Sequence, residues 1–255
     1  MRIGLQLYTV KDECEKDIGG ALRAVAAMGY DGIEFGSTQS LSIQAYKALM
    51  DELGLHAAGV MRSAEELEVN LASAVELARA VDTSTILIPG LWGGKFTGSV
   101  AAFRDGARFL NETGRRCKLE GFGFQYHIHG QEFEAFDGGI TGMDILTAET
   151  DAELVRFELD TYWVDWGGAD ALTLAKSLGP KLGFFHIKDY DNRQDMRDVE
   201  AGTGALDVPA LVAVAREAEL EWLIVEQEQF TRPPMEAAAI SARNLRAMVD
   251  AGGAR

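Results

Sequence analysis

LVRFELDTYWVDWGGADALTLAKSLGPKLGFFHIKD, residues 154–189, contains one complete structural unit of the chain. Leu154–Leu159 and Leu182–Ile187 are short, largely apolar runs that read as strands. Between them Asp170–Leu178 reads as a helix. Gly179-Pro180 ends it, because glycine accepts the turn that closes a helix and proline cannot extend one. Strands that stay apolar at successive positions are buried on both faces, the condition of a parallel sheet covered by helices. Each of these two strands runs into polar residues, Glu158-Leu159-Asp160 and His186-Ile187-Lys188-Asp189.

The same unit recurs on both sides. Ile3–Tyr8 is a strand, followed by a helix over Asp17–Met28 with Ile18, Leu22, Val25 and Met28 at helical spacing and Gly29 behind it. Asp31–Phe35, Leu55–Val60 and Thr85–Ile88 read as strands two to four. The intervening helices cover Ser42–Leu53, closed by Gly54, and a segment from Ser63 to Ala80 with Glu66 at the capping-box position. Ser99–Leu119 is helical, Phe122–Ile128 is strand five, and Ile140–Thr147 is a short helix. After residues 154–189 come a helix over Val208–Glu217, an eighth strand over Trp222–Val225 and a last helix over Met235–Val249.

Eight alternating units imply a parallel sheet. A doubly wound open sheet is the competing architecture, but it usually has fewer strands and often a glycine-rich loop after the first. Here strand one runs into Tyr8-Thr9-Val10-Lys11. The 255 residues match the length of about 250 typical of an α/β barrel. The expected fold is therefore α/β, a single (β/α)8 TIM barrel, with 1–255 as one domain.

Lysine plus arginine number 24 and aspartate plus glutamate 40, a formal net charge of −16. Such a surface repels phosphate backbones, so neither nucleic acid nor an anionic membrane is an expected partner. The two cysteines, Cys14 and Cys117, form no CxxC pair, which argues against a disulfide framework or a thiolate zinc site. MRIGLQLYTV at the start reads as a strand and not a signal peptide. No apolar stretch approaches the roughly 20 residues of a membrane span. The expected compartment is cytoplasmic.

Barrel chemistry sits at the carboxyl ends of the strands. Strand one carries Gln6 and strand two ends in Glu34. Strand five ends in Tyr126-His127-Ile128-His129 with Glu132 beyond it, and strand eight in Glu226-Gln227-Glu228. Three of the four histidines thus fall at the ends of strands five and seven. Alternate strand residues face one way, so His127 pairs with His129, Glu158 with Asp160, His186 with Lys188 and Glu226 with Glu228. Carboxylates and imidazoles converging from four consecutive strands make an N/O cage suited to one divalent ion: Mn, Co, Zn or Mg. A cation there relieves the repulsion between crowded carboxylates and polarises a carbonyl. Trp163, Trp166 and Trp92 are candidates for lining a sugar pocket. Gly202-Thr203-Gly204 reads as a turn, with wrapping of substrate oxygens as the alternative.

These stretches resemble a known family. GLQLYTVKDE (4–13), YDGIEFG (30–36), YHIHGQEFE (126–134), FELDTYWVDWGGAD (157–170), FFHIKDYD (184–191), GTGALDVPAL (202–211) and WLIVEQEQ (222–229) are similar to the sugar phosphate isomerase/epimerase family of the xylose isomerase-like TIM-barrel superfamily. The resemblance implies a Glu–Asp–His–Glu metal site in which Asp160, His186 and Glu226 match the last three ligands. His127 stands where ketose epimerases have a strand-five glutamate, and either His127 or Glu132 completes the set. It further implies proton abstraction beside a carbonyl of a sugar, keto-sugar or inosose, followed by isomerisation, epimerisation or dehydration. His129, Glu132 and Lys188 are then the acid–base candidates, and Gln6, Glu34 and Trp163 the substrate-binding ones. A homo-oligomer is compatible with such barrels. Two other readings are a non-catalytic sugar-binding barrel and an apurinic-endonuclease-like metal hydrolase. The charge of −16 argues against the second.

Overall fold

The computed structural model describes residues 1–92 and 95–252. Residues 93–94 and 253–255, part of the 1–255 span expected for the single domain, lie outside the described residues. The strands in chain order are β1 (Arg2–Gln6), β2 (Gly32–Phe35), β3 (His56–Met61), β4 (Thr85–Ile88), β5 (Gly123–His127), β6 (Arg156–Asp160), β7 (Leu182–Ile187), β8 (Asp189–Tyr190), β9 (Asp198–Val199) and β10 (Trp222–Val225). Eight of them close a barrel in the order β1-β10-β7-β6-β5-β4-β3-β2, every neighbouring pair parallel, while β8 and β9 form a separate antiparallel ribbon. The helices are α1 (Lys11–Ala27), α2 (Ile43–Leu53), α3 (Ala64–Ala80), α4 (Val100–Leu119), α5 (Gly142–Glu149), α6 (Thr161–Trp166), α7 (Ala171–Leu178), α8 (Val208–Glu217) and α9 (Pro234–Ala251). The fold is the single (β/α)8 barrel read from the sequence.

Local signals explain most boundaries. Ser42 Oγ accepts from Ala45 N at 3.2 Å, and Gly54 closes α2 at φ 68°. Ser63 and Glu66 form the expected capping box, at 3.2 and 2.8 Å, worth about 1 kcal/mol. Strand one differs: it stops at Gln6, whose Oε1 accepts from Tyr8 N at 3.1 Å and turns the chain into a 3-10 turn over Leu7–Val10. Helix α1 starts earlier than expected and breaks at Asp17 (φ −157°, ψ 89°), whose carboxylate accepts from Gly20 N at 3.0 Å. The helix read from Asp17 is its second half.

Inside the barrel, Ala58, Leu87, Phe184, Trp222 and Ile224 form a compact apolar cluster. His186 follows Phe184 by two residues and Glu226 follows Ile224 by two, so they keep the inward phase one layer nearer the carboxyl rim. Register then sets neighbours: Asp160 lies beside His186, His127 beside Glu158, and Gln6 beside Glu34.

Candidate metal centre

His127, Asp160, His186 and Glu226 are all buried, and one ligand-type atom from each lies within 4.8 Å of the others. They come from the ends of β5, β6 and β7 and the residue after β10. The sequence placed these four at one rim, and the structure brings them together. Asp160 serves two functions. Its Oδ1 accepts from Trp163 N at 2.9 Å and starts α6, whereas its Oδ2 is buried without a hydrogen-bond partner and lies 4.0 Å from His186 Nδ1. An orphaned carboxylate oxygen beside two imidazoles and a second carboxylate is what a divalent cation with N/O preference requires. The donor set fits such an ion.

A second tier supports the first. His186 Nδ1 lies 3.0 Å from Glu226 Oε2, while Nε2 lies 2.9 Å from Glu34 Oε1 and 3.1 Å from Glu158 Oε2. His127 Nδ1 is 2.8 Å from the same Glu158 oxygen. Gln6 Nε2 donates to Glu34 Oε1 at 2.7 Å. Glu158 and Glu34 are fully buried. Thus Glu34, expected to touch substrate, is bonded to the His186 ring, and Gln6, expected to do the same, is bonded to Glu34, although Gln6 also reaches the cavity wall. Glu158 was not singled out from the sequence. Its parity with Asp160 was the available signal.

The electrostatics follow from burial and crowding. Burial and the charge of Glu158 push Glu34 up to about 7, against the pull of His186. Burial pushes Asp160 up to about 8, against the pull of Lys188. His186 is raised well above the usual imidazole range: burial opposes this, but Glu158, Glu34 and Glu226 overwhelm it. Burial also works against the Glu226 charge, yet His186 and Lys188 hold its carboxyl far below the carboxylate range. Burial and a neighbouring imidazole push His127 and His129 down to about 3.

The remaining candidates divide. His129 lines the cavity, its ring centroid 4.6 Å from that of His127 and 5.5 Å from that of Trp163, with Nδ1 buried and unpartnered. Trp163 thus sits against His129 from the first turn of α6. Lys188 is 1% exposed, with Nζ 3.1 Å from Glu228 Oε2, 3.8 Å from Asp198 Oδ2, and 4.8 Å from the ring centroids of both Tyr162 and Trp163. Asp160, Glu226 and these carboxylates hold its ammonium above the ordinary lysine range despite burial.

Glu132 lies apart from the other candidates. Tyr126 Oη donates to its Oε1 and His129 N donates to its Oε2 at 3.1 Å, so its carboxyl is spent on a 3-10 turn over Gly130–Phe133. It belongs to neither ligand cluster and does not line the cavity. Burial pushes it up to about 7. A carboxyl raised from an ordinary value near 4.5 binds more protons folded than unfolded between these limits. Its stabilising contribution is complete below pH 4.5 and is lost as pH rises to 7. Glu132→Gln is therefore expected to be more stable than the parent at pH 8, by roughly 3 kcal/mol at most, with no such gain at pH 4. Urea unfolding of both proteins at the two pH values checks this, and an equal difference at both contradicts it.

The Gly202-Thr203-Gly204 turn also faces its own chain. Gly202 N and Gly204 N donate to Asp189 Oδ2 at 3.0 and 2.9 Å, and Leu206 N to Oδ1 at 3.2 Å. A Cβ on Gly204 would sit 2.2 Å from Tyr190 O, so this close approach needs glycine.

A cavity of about 480 Å³ opens over the four-residue cluster, with His127, His129, His186 and Glu226 in its wall together with Glu228, Tyr8 and Trp92.

A sequence profile described as xylose isomerase-like TIM barrel matches residues 22–248. Among curated proteins none matches by sequence. Among solved structures, a sugar phosphate isomerase/epimerase from Parabacteroides distasonis is 21% identical, with 97% of this chain and 95% of that chain covered at a TM-score of 0.84. The probable 3-DHS dehydratase AsbF of Bacillus anthracis is 12% identical, with 96% and 99% covered, at 0.75. The IOLI protein with a bound zinc atom is 14% identical, with 98% of this chain and 99% of that chain covered, at 0.77. At these identities the likeness is one of fold. No helix of the described residues is long and apolar enough to cross a membrane.

Proposed function

The chain belongs to the xylose isomerase-like TIM barrel family, and on that premise we propose that it is a metal-dependent enzyme acting on a sugar, keto-sugar or inosose. It takes a proton from the carbon next to a carbonyl, and isomerisation, epimerisation or loss of water follows. The observation that carries this reading is the convergence of His127, Asp160, His186 and Glu226 within 4.8 Å beside a cavity large enough for such a substrate. The similar folds of a sugar phosphate isomerase/epimerase, a probable dehydratase and a zinc-holding protein support it.

Those four residues hold the ion in this reading. A divalent ion held there would supply Lewis acidity to a carbonyl oxygen and so make the adjacent C–H bond more acidic. The chain's own residues divide the rest. His129 is neutral at physiological pH because burial keeps its pKa near 3. A base that weak has little pull on a C–H bond, so its imidazole suits hydrogen bonding to a substrate hydroxyl. Glu228 lines the cavity outside the ligand set, and burial raises its carboxyl, against the pull of Lys188, towards the range a general base needs. Lys188, 3.1 Å from it and packed over the Tyr162 and Trp163 rings, fixes its position.

Glu158 orients the ligands. One carboxylate oxygen faces a nitrogen of both His127 and His186, so it sets which nitrogen of each ring is left to bind metal. Glu158→Ala is expected to weaken metal affinity by roughly 10–100-fold, measured by chelator competition, with Glu158→Gln recovering part of it. Unchanged affinity in Glu158→Ala contradicts this role.

Metal analysis followed by hydrogen–deuterium exchange over a panel of ketoses, inososes and 3-keto-sugars tests the reading as a whole. The expected result is metal-dependent exchange beside the carbonyl of one class. Exchange that persists after complete metal removal, or none across the panel with metal present, contradicts it.

A further inference from the structure

The histidines and carboxylates of the cavity come from the ends of β5, β7 and β10, whereas another wall comes from the end of β1 and the turn after it, α1, and the end of β2 with the loop behind it, where Gln6, Ser37 and Gln39 also line the space. Leu7, Cys14, Ile18 and Phe35 make the apolar part of that wall, and Tyr8 and Trp92 line the same cavity while staying 52% and 49% exposed. The break of α1 at Asp17 separates Cys14 from Ile18, yet both meet the cavity. At about 480 Å³ the space falls in the ~300–1,000 Å³ range of sites for drug-sized ligands. A bare sugar carries hydroxyls around its ring, and any turned against Leu7, Ile18 or Phe35 loses water without gaining a partner. A phosphate fares no better. Among the described residues of the lining, Lys11 is the one lysine and there is no arginine. Lys11 Nζ lies 3.2 Å from Tyr8 Oη and 4.3 Å from the Tyr8 ring centroid, and Asp12 and Glu13 occupy the first turn of α1.

We propose that the substrate is an uncharged sugar derivative bearing an apolar, aryl-sized substituent, with its sugar ring at the His127–Glu226 end and the substituent against Leu7, Ile18 and Phe35, flanked by Tyr8 and Trp92. This rests on the reading of the centre as one that handles sugar-like carbonyl compounds. Aromatic side chains at the rim suit such a group, since they bury an aryl face at low entropic cost.

Binding of phenyl β-glucoside, glucose and glucose 6-phosphate to the manganese-loaded protein, read by calorimetry and tryptophan fluorescence, tests the proposal. Phenyl β-glucoside is expected to bind tighter than glucose by about ten-fold or more, the gain of burying one phenyl ring, and glucose 6-phosphate no tighter than glucose. Ile18→Asp removes the preference. Because that change at a buried position can unfold the chain, Tyr8→Ser and Trp92→Ser are measured beside it, each lowering the preference by about three-fold. Equal binding of phenyl β-glucoside and glucose, no binding of either, or tightest binding of glucose 6-phosphate overturns the proposal. Aryl preference without proton exchange on any carbonyl sugar supports the subsite and contradicts the enzymatic reading. Exchange on free keto-sugars without aryl preference overturns the subsite alone.

Discussion

Replacing His186 with alanine is expected to abolish stoichiometric metal binding and, with it, metal-dependent proton exchange. His186 stands at the middle of the centre, 3.0 Å from Glu226, 2.9 Å from Glu34, 3.1 Å from Glu158 and 4.0 Å from Asp160. Its removal takes away one of the four proposed ligands and the hydrogen-bond donor that faces the lower carboxylates. The loss of affinity is expected to exceed the roughly 10–100-fold assigned to an outer partner such as Glu158. A second effect accompanies it. Glu34 and Asp160, whose carboxyls burial already raises, lose the nearby imidazolium that pulls them down, so both are pushed further towards the protonated form. The variant is expected to be less stable at pH 8 than at pH 6, the direction set by carboxyls whose folded pKa is raised: their unfolded forms release protons first, and stability falls as pH rises. Metal content after dialysis, with thermal melts at both pH values, measures both effects. A His186→Ala protein that keeps one equivalent of metal means that the ligands lie elsewhere.

The second large effect is on stability. Lys188→Met is expected to destabilise the fold by about 3–5 kcal/mol and to lower the melting temperature by on the order of 10 °C. The methionine matches the length of the alkyl stem and keeps the packing over Tyr162 and Trp163. What it removes is an ammonium that is 1% exposed and lies between Glu228 and Asp198, with Asp160 and Glu226 also favouring its charge. Removing the ammonium leaves the buried Asp198 without its counter-charge, and that penalty is larger than the net worth of the pair. Thermal and urea unfolding at pH 7 check the expectation. An unchanged melting temperature means that water, not Lys188, neutralises those carboxylates.

The barrel was legible because its signals are local and repeated. Apolar runs, Ser63 with Glu66, Gly54 and Gly179-Pro180 each mark a boundary by backbone chemistry alone. The site was legible to the extent that strand parity and strand-end position determine direction. His186 and Glu226 keep phase with Phe184 and Ile224, so their inward aim follows from the period of two. Where the chain leaves the ladder, parity stops carrying information. His127 ends β5, while His129 and Glu132 lie beyond it in a turn. Nothing in the spacing distinguishes a carboxylate aimed at the cavity from one that holds Tyr126. The break at Asp17 and the six-residue α6 escaped for a related reason: each depends on one side chain bonding a nearby backbone N–H, and Asp160 performs this task with one oxygen while presenting the other to the cluster. Glu158 and Asp160 share a face, but only the register with β5 and β7 assigns Glu158 to the lower tier, where it meets both His127 and His186.

The most direct test is anomalous diffraction at the zinc edge from crystals grown with zinc. One peak is expected, about 2.0–2.2 Å from a nitrogen of His127 and of His186 and from an oxygen of Asp160 and of Glu226. A map with no peak among these four side chains, or with the ion bound away from them, contradicts the account.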